Sequence, residues 1–432
     1  MLNKYAKDLL RIAGPIIMGN LGFVMIGVGD VIVAGRHSTN TLAAISIATA
    51  VTNTLMMIGI GILVSISAIL SNYRGEGRDI RKYFYSSLKF GMSLAFFICL
   101  IILACIPAID KIGFTPELIP LIKDYFFITA FATFGGYLHA VTKEYLQAHE
   151  ILIFPNLVTI ACVFLNIIMN VVLVFGIGPF PELGVKGLAI ASLLVRYFMG
   201  ITLLIYCFAK FRFVNFKDSN YIKDLAKVGI PASLAIMIEF AAFNSISVIM
   251  GRVAGIYAAA HNLICTLTNV SFMIPLAISN AMAIKVGYSN GGKLYGDLKQ
   301  YAKTGIKICL GFMTCSALVI GCIPDFIIGL FTKDTELIKV CVPIAYVLCI
   351  FQIFDGLQVA LSGVFRGIKN TKIVMFSNFI GYWIIALPAG CLLAFGCNMK
   401  LIGFWYALFV SSVVICSIMI ISMLSKFKKM EG

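Results

Sequence analysis

The sequence predicts an all-α membrane protein whose chain crosses the bilayer twelve times. Of its 432 residues, 60% are hydrophobic and only 12% are charged, whereas soluble domains carry about a quarter charged residues. Apolar runs of about 20 residues, the length of a bilayer-crossing helix, recur along the whole chain. These runs are apolar on all sides and do not alternate with a period of two, which favours helices over the strands of a membrane barrel.

Twelve apolar segments account for the predicted membrane spans. The intervening segments are too short to form a separate soluble domain. The spans are predicted at residues 10–34, 42–71, 86–109, 121–144, 154–177, 187–209, 228–251, 258–284, 305–330, 338–363, 373–396 and 401–424.

The basic residues between these spans indicate the topology. Loops on one side of the predicted membrane carry 23 Lys and Arg residues, and loops on the other side carry 8. The side richer in Lys and Arg is normally cytoplasmic. We therefore expect a multi-pass protein of the plasma (inner) membrane with both termini in the cytoplasm. The net charge of +15 is then a sign of topology and does not indicate a nucleic-acid partner.

The two halves of the chain are copies of one unit. At an offset of about 216 residues, CIPAIDKIGFT at 105–115 matches CIPDFIIGLFT at 322–332. Six helices per copy is an even number, so both copies enter the membrane in the same direction, which predicts two lobes related by a pseudo-two-fold axis. Transporters are commonly built from such repeats. We predict an N-terminal six-helix lobe at 1–209, a cytoplasmic linker at 210–227 and a C-terminal six-helix lobe at 228–432.

Three carboxylates lie inside predicted spans: Asp30, Glu239 and Asp355. A charge in the bilayer costs several kcal/mol, so such residues usually face a cavity or an ion pathway. Asp30 could instead cap an interrupted helix, and Glu239 could pair with a basic group of a neighbouring helix. An intrahelical pair of Asp355 with Arg366 is excluded because eleven residues span about 16 Å of helix.

Several motifs together resemble one transporter family. Helix 1 ends GVGDVIVAG, helix 5 reads FLNIIMNVVLVFG, helix 7 opens GIPASLAIMIEF, and helix 10 continues DGLQVALSGVFRGIKNT. In this order, and in both halves, these strings resemble the multidrug and toxic compound extrusion (MATE) transporters, above all the NorM-like bacterial branch. The resemblance covers essentially all twelve helices.

The resemblance implies a MATE/MOP-type fold, with a V-shaped pair of six-helix lobes around a central cavity. It also implies antiport by alternating access: export of drugs and organic cations in exchange for Na⁺ or H⁺. Glu239 and Asp355 match the acids of the family's cation-coupling site in the C-terminal lobe. Drugs, organic cations and Na⁺ or H⁺ are the only chemical partners expected besides the lipid bilayer. No cofactor is expected, and the protein is expected to be a monomer.

For the N-terminal lobe the resemblance implies a second cation-coupling site. Asp30 matches the helix-1 acid, Asn166 and Asn170 match two helix-5 positions, and Ser192 matches a helix-6 hydroxyl. In the DinF-like branch the second helix-5 position is usually Asp, so Asn170 favours the NorM-like branch. Na⁺ prefers such oxygen ligands, and residues at i and i+4 share a helix face. A desolvated carboxyl group can alternatively bind a proton, so the same residues suit either ion.

Other polar residues within the spans have two interpretations each. Asn53 and Asn269 occupy repeat-related positions and either line the cavity or form interhelical hydrogen bonds. Arg196 is expected to be a counter-charge inside its lobe. None of the three acids has an acidic counterpart in the other half, so we expect two unlike cation sites.

Two other classes of protein are alternatives to the antiporter. A flippase of polyprenyl-linked oligosaccharides or lipid-linked precursors is the alternative function, but such proteins often have more helices and a strongly basic cavity. An enzyme would need a catalytic cluster such as a Ser/His pair, and the spans contain none. We therefore expect a transporter and not an enzyme.

Overall fold

The computed structural model describes residues 3–214, 216 and 218–430, and within them it has twelve helices long and apolar enough to cross a membrane. No β-strand occurs in these residues. The predicted all-α fold with twelve membrane spans is confirmed. The helices are α1 Lys4–His37, α2 Thr39–Gly75, α3 Ile80–Lys111, α4 Leu118–Ala148, α5 Ile153–Phe175, α6 Val185–Lys210, α7 Ser219–Gly251, α8 Gly255–Gly291, α9 Tyr295–Cys322, α10 Thr335–Gly367, α11 Lys372–Gly396 and α12 Lys400–Lys429.

Local signals in the sequence end and begin several of these helices. The Ser38 side chain accepts a hydrogen bond from the Thr41 backbone N–H at 3.1 Å and so caps α2 directly after α1. Asp334 caps α10 in the same way, accepting from the Glu336 N–H at 3.0 Å. Gly176 follows α5 with φ of 67°, a left-handed conformation that glycine adopts without strain.

Helix α7 begins earlier than the apolar pattern predicts. It starts at Ser219, inside the segment 210–227 that the sequence analysis assigns to a linker. Asn215 and Lys217 of that segment lie outside the described residues. The additional turns are amphipathic, because Tyr221 and Leu225 are fully buried while Lys223 and Lys227 are exposed. A search for uniformly apolar runs misses helical turns of this kind.

The same helix pairs pack together in both halves of the chain. In the first half α4 contacts α2, α3 and α6, and α5 contacts α6. In the second half α10 contacts α8, α9 and α12, and α11 contacts α12. The fourth helix of each half is thus the centre of its bundle. The repeat seen in the sequence is therefore also a repeat of internal packing.

The chain forms two compact units that do not coincide with its two halves. The unit that we call the C-unit contains the residues up to Gly14, Arg74–Gly77 and the chain from Leu234 onward. Two hydrogen bonds join the start of α1 to α9 within this unit: Tyr5 Oη donates to Asp297 at 2.8 Å, and Tyr301 Oη donates to Asp8 at 2.7 Å. The first turns of α1 therefore pack with helices from the second half of the chain.

The second unit, the N-unit, contains Pro15–Tyr73 and Arg78–Ser233. It therefore includes the first turns of α7. Ser233 Oγ donates to the Ile58 carbonyl at 2.6 Å, and Tyr73 Oη donates to Asp224 at 3.1 Å. Each unit thus takes the first part of one helix from the other half of the sequence.

Candidate cation sites

The first candidate site lies inside the N-unit, around Asp30 of α1. Helix α1 runs without a break from Lys4 to His37, so Asp30 is in mid-helix and does not cap an interrupted helix. Its side chain is 9% exposed. Asn166 and Asn170 stand one turn apart on α5 and are fully buried.

Hydrogen bonds join the four residues predicted for this site. Asn170 Nδ2 donates to Asp30 Oδ1 at 2.6 Å and to Asn166 Oδ1 at 3.1 Å. Ser192 Oγ, from α6, donates to Asp30 Oδ2 at 3.2 Å. Helix α1 and the consecutive helices α5 and α6, which are far from α1 in sequence, therefore bring one carboxylate, two amides and one hydroxyl together.

Two buried amide atoms of this cluster carry no hydrogen bond within the described residues: Asn170 Oδ1 and Asn166 Nδ2. A buried amide oxygen without a donor is costly. Oxygen and nitrogen of an amide exchange places when the terminal torsion turns by 180°. After such a turn Asn170 Oδ1 would face Asp30, and the cluster would present carboxylate, amide and hydroxyl oxygens together. This donor set fits a hard cation such as Na⁺.

Two further side chains interact electrostatically with Asp30. One is Arg196 of α6, whose Nη1 lies 2.9 Å from Met56 Sδ. The other is Tyr125 of α4, which is 3% exposed. Arg196 lies where a counter-charge inside this unit is expected, and it lowers the cost of burying the Asp30 carboxylate. Arg196 can be identified from the sequence because an arginine within an apolar run is unusual. Nothing in the sequence distinguishes Tyr125 from other tyrosines.

The second candidate site lies inside the C-unit, between α7 and α10. Glu239 of α7 is half-buried, and Asp355 of α10 is 3% exposed. The two carboxyl groups interact electrostatically. No described residue forms a hydrogen bond with the Asp355 side chain. This arrangement concentrates negative charge where hydration is poor, which is costly unless a cation or a proton neutralises it.

Amide and phenol groups surround Glu239. Gln358 Nε2 and Asn378 Nδ2 donate to Glu239 Oε2 at 3.3 and 3.4 Å. Gln358 Nε2 also donates to Tyr382 Oη at 3.1 Å, and Asn378 Nδ2 donates to the Ala235 carbonyl at 3.2 Å. The described residues give Glu239 no salt bridge, so the alternative of a pair with a basic group is not observed.

The three neutral members of this site, Gln358, Asn378 and Tyr382, are not among the residues predicted from the sequence. Gln358 is three residues after Asp355 and shares its helix face, so that spacing would have identified it. Asn378 and Tyr382 are polar residues four apart within the apolar run of α11. The helix is widened to π-helical turns over Phe379–Ala386, a feature that often occurs at functional sites. No sequence rule predicts that widening.

The remaining predicted residues lie outside both clusters. Asn53 and Asn269 are exposed, and neither side chain forms a hydrogen bond with any described residue. The alternative of an interhelical hydrogen bond is therefore not observed. Their exposure suits residues that line a solvated space.

The fold and the two acid clusters define an integral, multi-pass membrane protein of transporter type. The MatE family model matches the chain twice, over residues 15–172 and over residues 231–392. Because the matches cover most of the chain, the protein belongs to the MATE family. That family consists of transporters and not of enzymes, which confirms the family resemblance and the expected class.

Curated relatives match nearly the whole chain. The probable multidrug resistance protein NorM of Xylella fastidiosa (strain 9a5c) is 27% identical over 94% of this chain and 88% of its own length. The protein of the same name from Geobacillus kaustophilus is 28% identical over 93% of this chain and 91% of its own.

Solved structures share the fold. One is the outward-facing conformation of a multidrug resistance MATE family transporter of the MOP superfamily, with a TM-score of 0.89 and 17% identity over 100% of this chain and 97% of that chain. Another is a MOP superfamily transporter from Pyrococcus furiosus, with a TM-score of 0.91 and 17% identity over 100% and 97% of the two chains. Both comparisons support the MATE-type fold predicted from the sequence.

Proposed function

We propose that this protein is a cation-coupled multidrug antiporter. It exports amphipathic, often cationic compounds by alternating access and takes up Na⁺ or H⁺ in exchange. The observation that carries the proposal is an acid-centred polar cluster inside an apolar helix bundle in each unit, around Asp30 and around Glu239. The names of the NorM relatives support the class of substrate.

Each cluster has the chemistry of a coupling site. Around Asp30 the ligands are oxygens of a carboxylate, amides and a hydroxyl, which suit Na⁺; protonation of Asp30 would neutralise the same cluster. Around Glu239 two carboxyl groups share one region with Gln358, Asn378 and Tyr382. Ion binding drives transport only if the ion has different affinities for the two access states.

The acids also distinguish the antiporter from the alternative flippase. A flippase of lipid-linked oligosaccharides must bind a phosphorylated, anionic substrate, for which basic groups are needed. Carboxylates dominate the two clusters, and Arg196 is engaged next to Asp30. Groups of this charge attract cations.

We propose the following topology and organisation. The protein lies in the plasma (inner) membrane as a monomer, with both termini in the cytoplasm. Residues 1–209 and 228–432 supply the two six-helix lobes, and the segment 210–227 that joins them in sequence, which includes the first turns of α7 from Ser219, lies on the cytoplasmic side. The excess of Lys and Arg on the side of the termini supports this orientation.

Ethidium transport into energised everted vesicles, in which efflux from the cytoplasm appears as uptake into the vesicle, tests the proposed function. Glu239→Gln and Asp355→Asn should each abolish cation-driven efflux while the protein remains in the membrane at normal levels. Glu336→Gln is the matched control, because Glu336 is an exposed acid of α10 that forms an ion pair with Lys339 and belongs to neither cluster. Intact efflux in both site variants would refute the assignment of this coupling site.

A further inference from the structure

The imidazole of His37 joins the end of α1 to two other elements of the N-unit. His37 is the last residue of α1 and lies about two helical turns after Asp30. Its Nδ1 is 2.8 Å from Thr41 Oγ1 in the first turn of α2, and its Nε2 is 2.9 Å from Glu182 Oε1 in the segment 176–184 between α5 and α6. We call the contact between His37 and Glu182 the clasp.

Backbone hydrogen bonds fix the segment that carries Glu182. The N–H groups of Leu183 and Gly184 donate to carbonyls in the last turn of α5 at 3.1 and 3.3 Å, so the segment folds back onto that helix. Gly184 also lies against the imidazole, because a Cβ at this position would be 3.2 Å from His37 Cε1. The end of α5 therefore determines where Glu182 meets His37.

The clasp does not require a particular charge on His37. A carboxylate can only accept, so His37 Nε2 carries the proton that it donates to Glu182. When the imidazole is neutral, its Nδ1 accepts from the Thr41 hydroxyl, and when it is protonated, both ring nitrogens donate. Ser38 Oγ donates to Thr41 Oγ1 at 2.9 Å and holds that oxygen in place. The clasp can therefore form in both protonation states of His37.

The clasp connects the same three helices that build the Asp30 cluster. Asp30 is on α1, Asn170 is on α5 and Ser192 is on α6. Glu182 is the side chain of segment 176–184 that hydrogen-bonds to α1 in the part of the chain that the structure describes. The hydrogen bond from Ser192 to Asp30 is 3.2 Å long, already beyond the usual range for a hydroxyl donor. A small outward movement of the end of α1 would therefore break it.

We propose that His37 and Glu182 are positioning residues of the Asp30 site. Their clasp holds the end of α1 against the connection between α5 and α6 and so keeps Asp30 within reach of Asn170 and Ser192. The inference rests on the proposed function, in which this cluster binds the coupling ion. The apparent affinity of a site falls in proportion to the fraction of molecules in which its ligands are assembled. Loss of the clasp should therefore weaken ion binding although every ligand is still present.

Dye flux in proteoliposomes, measured at a series of concentrations of the cation whose gradient drives it, tests the proposal. We expect His37→Ala and Glu182→Ala each to raise the half-maximal cation concentration about fivefold, which corresponds to about 1 kcal/mol, the upper value for an exposed pair. The half-maximal dye concentration should not change, because no dye contact is altered. Glu182→Gln should restore most of the cation affinity, because its amide oxygen can still accept from His37 Nε2.

Two further variants separate the clasp from general effects. The double variant of His37→Ala and Glu182→Ala should match the single variants, because either change alone removes the clasp. Lys123→Ala is the matched control, because it removes an exposed ion pair with Asp110, 2.7 Å long, in the same unit. Unchanged cation dependence in both single variants, multiplied effects in the double variant or an equal change in Lys123→Ala would each overturn the proposal.

Hydrogen exchange of the purified full chain, followed by mass spectrometry, distinguishes failure of the clasp from failure of the proposed function. If neither gradient drives dye flux in the unsubstituted protein, antiport is wrong, but the clasp is still measurable. His37→Ala should exchange backbone amides faster than Lys123→Ala in the last turns of α1 and in segment 176–184, because their mutual contact is lost. Equal exchange in the two variants would show that the clasp does not hold these elements together and would overturn the positioning role.

Discussion

Replacing Glu239 by glutamine removes a charge from the C-unit site and leaves its shape almost unchanged. The hydrogen bonds that Glu239 accepts from Gln358 and Asn378 are 3.3 and 3.4 Å long, well beyond the 2.7–2.9 Å of strong charge-assisted bonds. A neutral amide oxygen at the same position can accept both. We therefore expect the free energy of unfolding to change by less than about 1 kcal/mol.

Cation binding should respond much more strongly than stability. Removal of one partner of a close, poorly hydrated charge pair costs about 2–5 kcal/mol. At about 1.4 kcal/mol per factor of ten, the affinity for the coupling ion should fall by about 30-fold to several thousand-fold. The loss of affinity should be greatest if Asp355 cannot replace the contact that Glu239 makes with the ion. Asp355 is only 3% exposed, so water can do little to compensate for that contact.

Thermal unfolding of the purified protein measures both effects. The midpoint is recorded against NaCl, with choline chloride at equal ionic strength as the salt control, and separately against pH. A ligand that binds the folded state raises the midpoint with its concentration. Glu239→Gln should unfold at the ordinary temperature in choline chloride but show a smaller cation-dependent rise, to which only the Asp30 site still contributes, while Glu336→Gln should retain the full rise. The reasoning is refuted if the rise with Na⁺ or with protons is the same in Glu239→Gln and in the unsubstituted protein.

Three further predictions concern the N-unit and the packing around both sites. Asp30→Asn should reduce cation-driven drug transport at least about tenfold, measured as dye flux in proteoliposomes; unchanged flux would leave Asp30 a structural role only. Tyr382→Phe should lower the free energy of unfolding by about 1–3 kcal/mol, because Gln358 loses a hydrogen-bonding partner at full burial; an unchanged midpoint would contradict this contact. Gly135→Ala should lower the free energy of unfolding by about 1–3 kcal/mol, because a Cβ at this position would lie 2.7 Å from a backbone nitrogen of α6. Gly311→Ala is the control, because a Cβ there would have nothing within 4 Å. Equal unfolding midpoints of the two variants would contradict the close helix contact.

The sequence predicted the elements that depend on composition and local pattern. The twelve spans follow from apolar length, and the repeat follows from matching strings in the two halves. The three acids were found because a charge in an apolar run is conspicuous. The positions of Asn166 and Asn170 on one face follow from helix geometry alone.

Features that depend on tertiary packing were not predicted. The first turns of α7 are helical because Tyr221 and Leu225 pack into the N-unit, and no membrane pattern signals this. The shell around Glu239 needs Asn378 and Tyr382 from α11, and only the packing of α11 against α7 and α10 brings them there. The start of α1, up to Gly14, belongs to the C-unit, and the start of α7, up to Ser233, belongs to the N-unit. No local pattern in the sequence indicates either assignment.

Transport in proteoliposomes with imposed gradients tests the central claim most directly. Na⁺ and H⁺ gradients are applied separately, and the flux of ethidium or another cationic dye is followed for the unsubstituted protein and for Glu239→Gln. We predict that at least one gradient accelerates dye flux against its own concentration difference and that Glu239→Gln abolishes this acceleration. Dye flux that is independent of both gradients would contradict cation-coupled antiport.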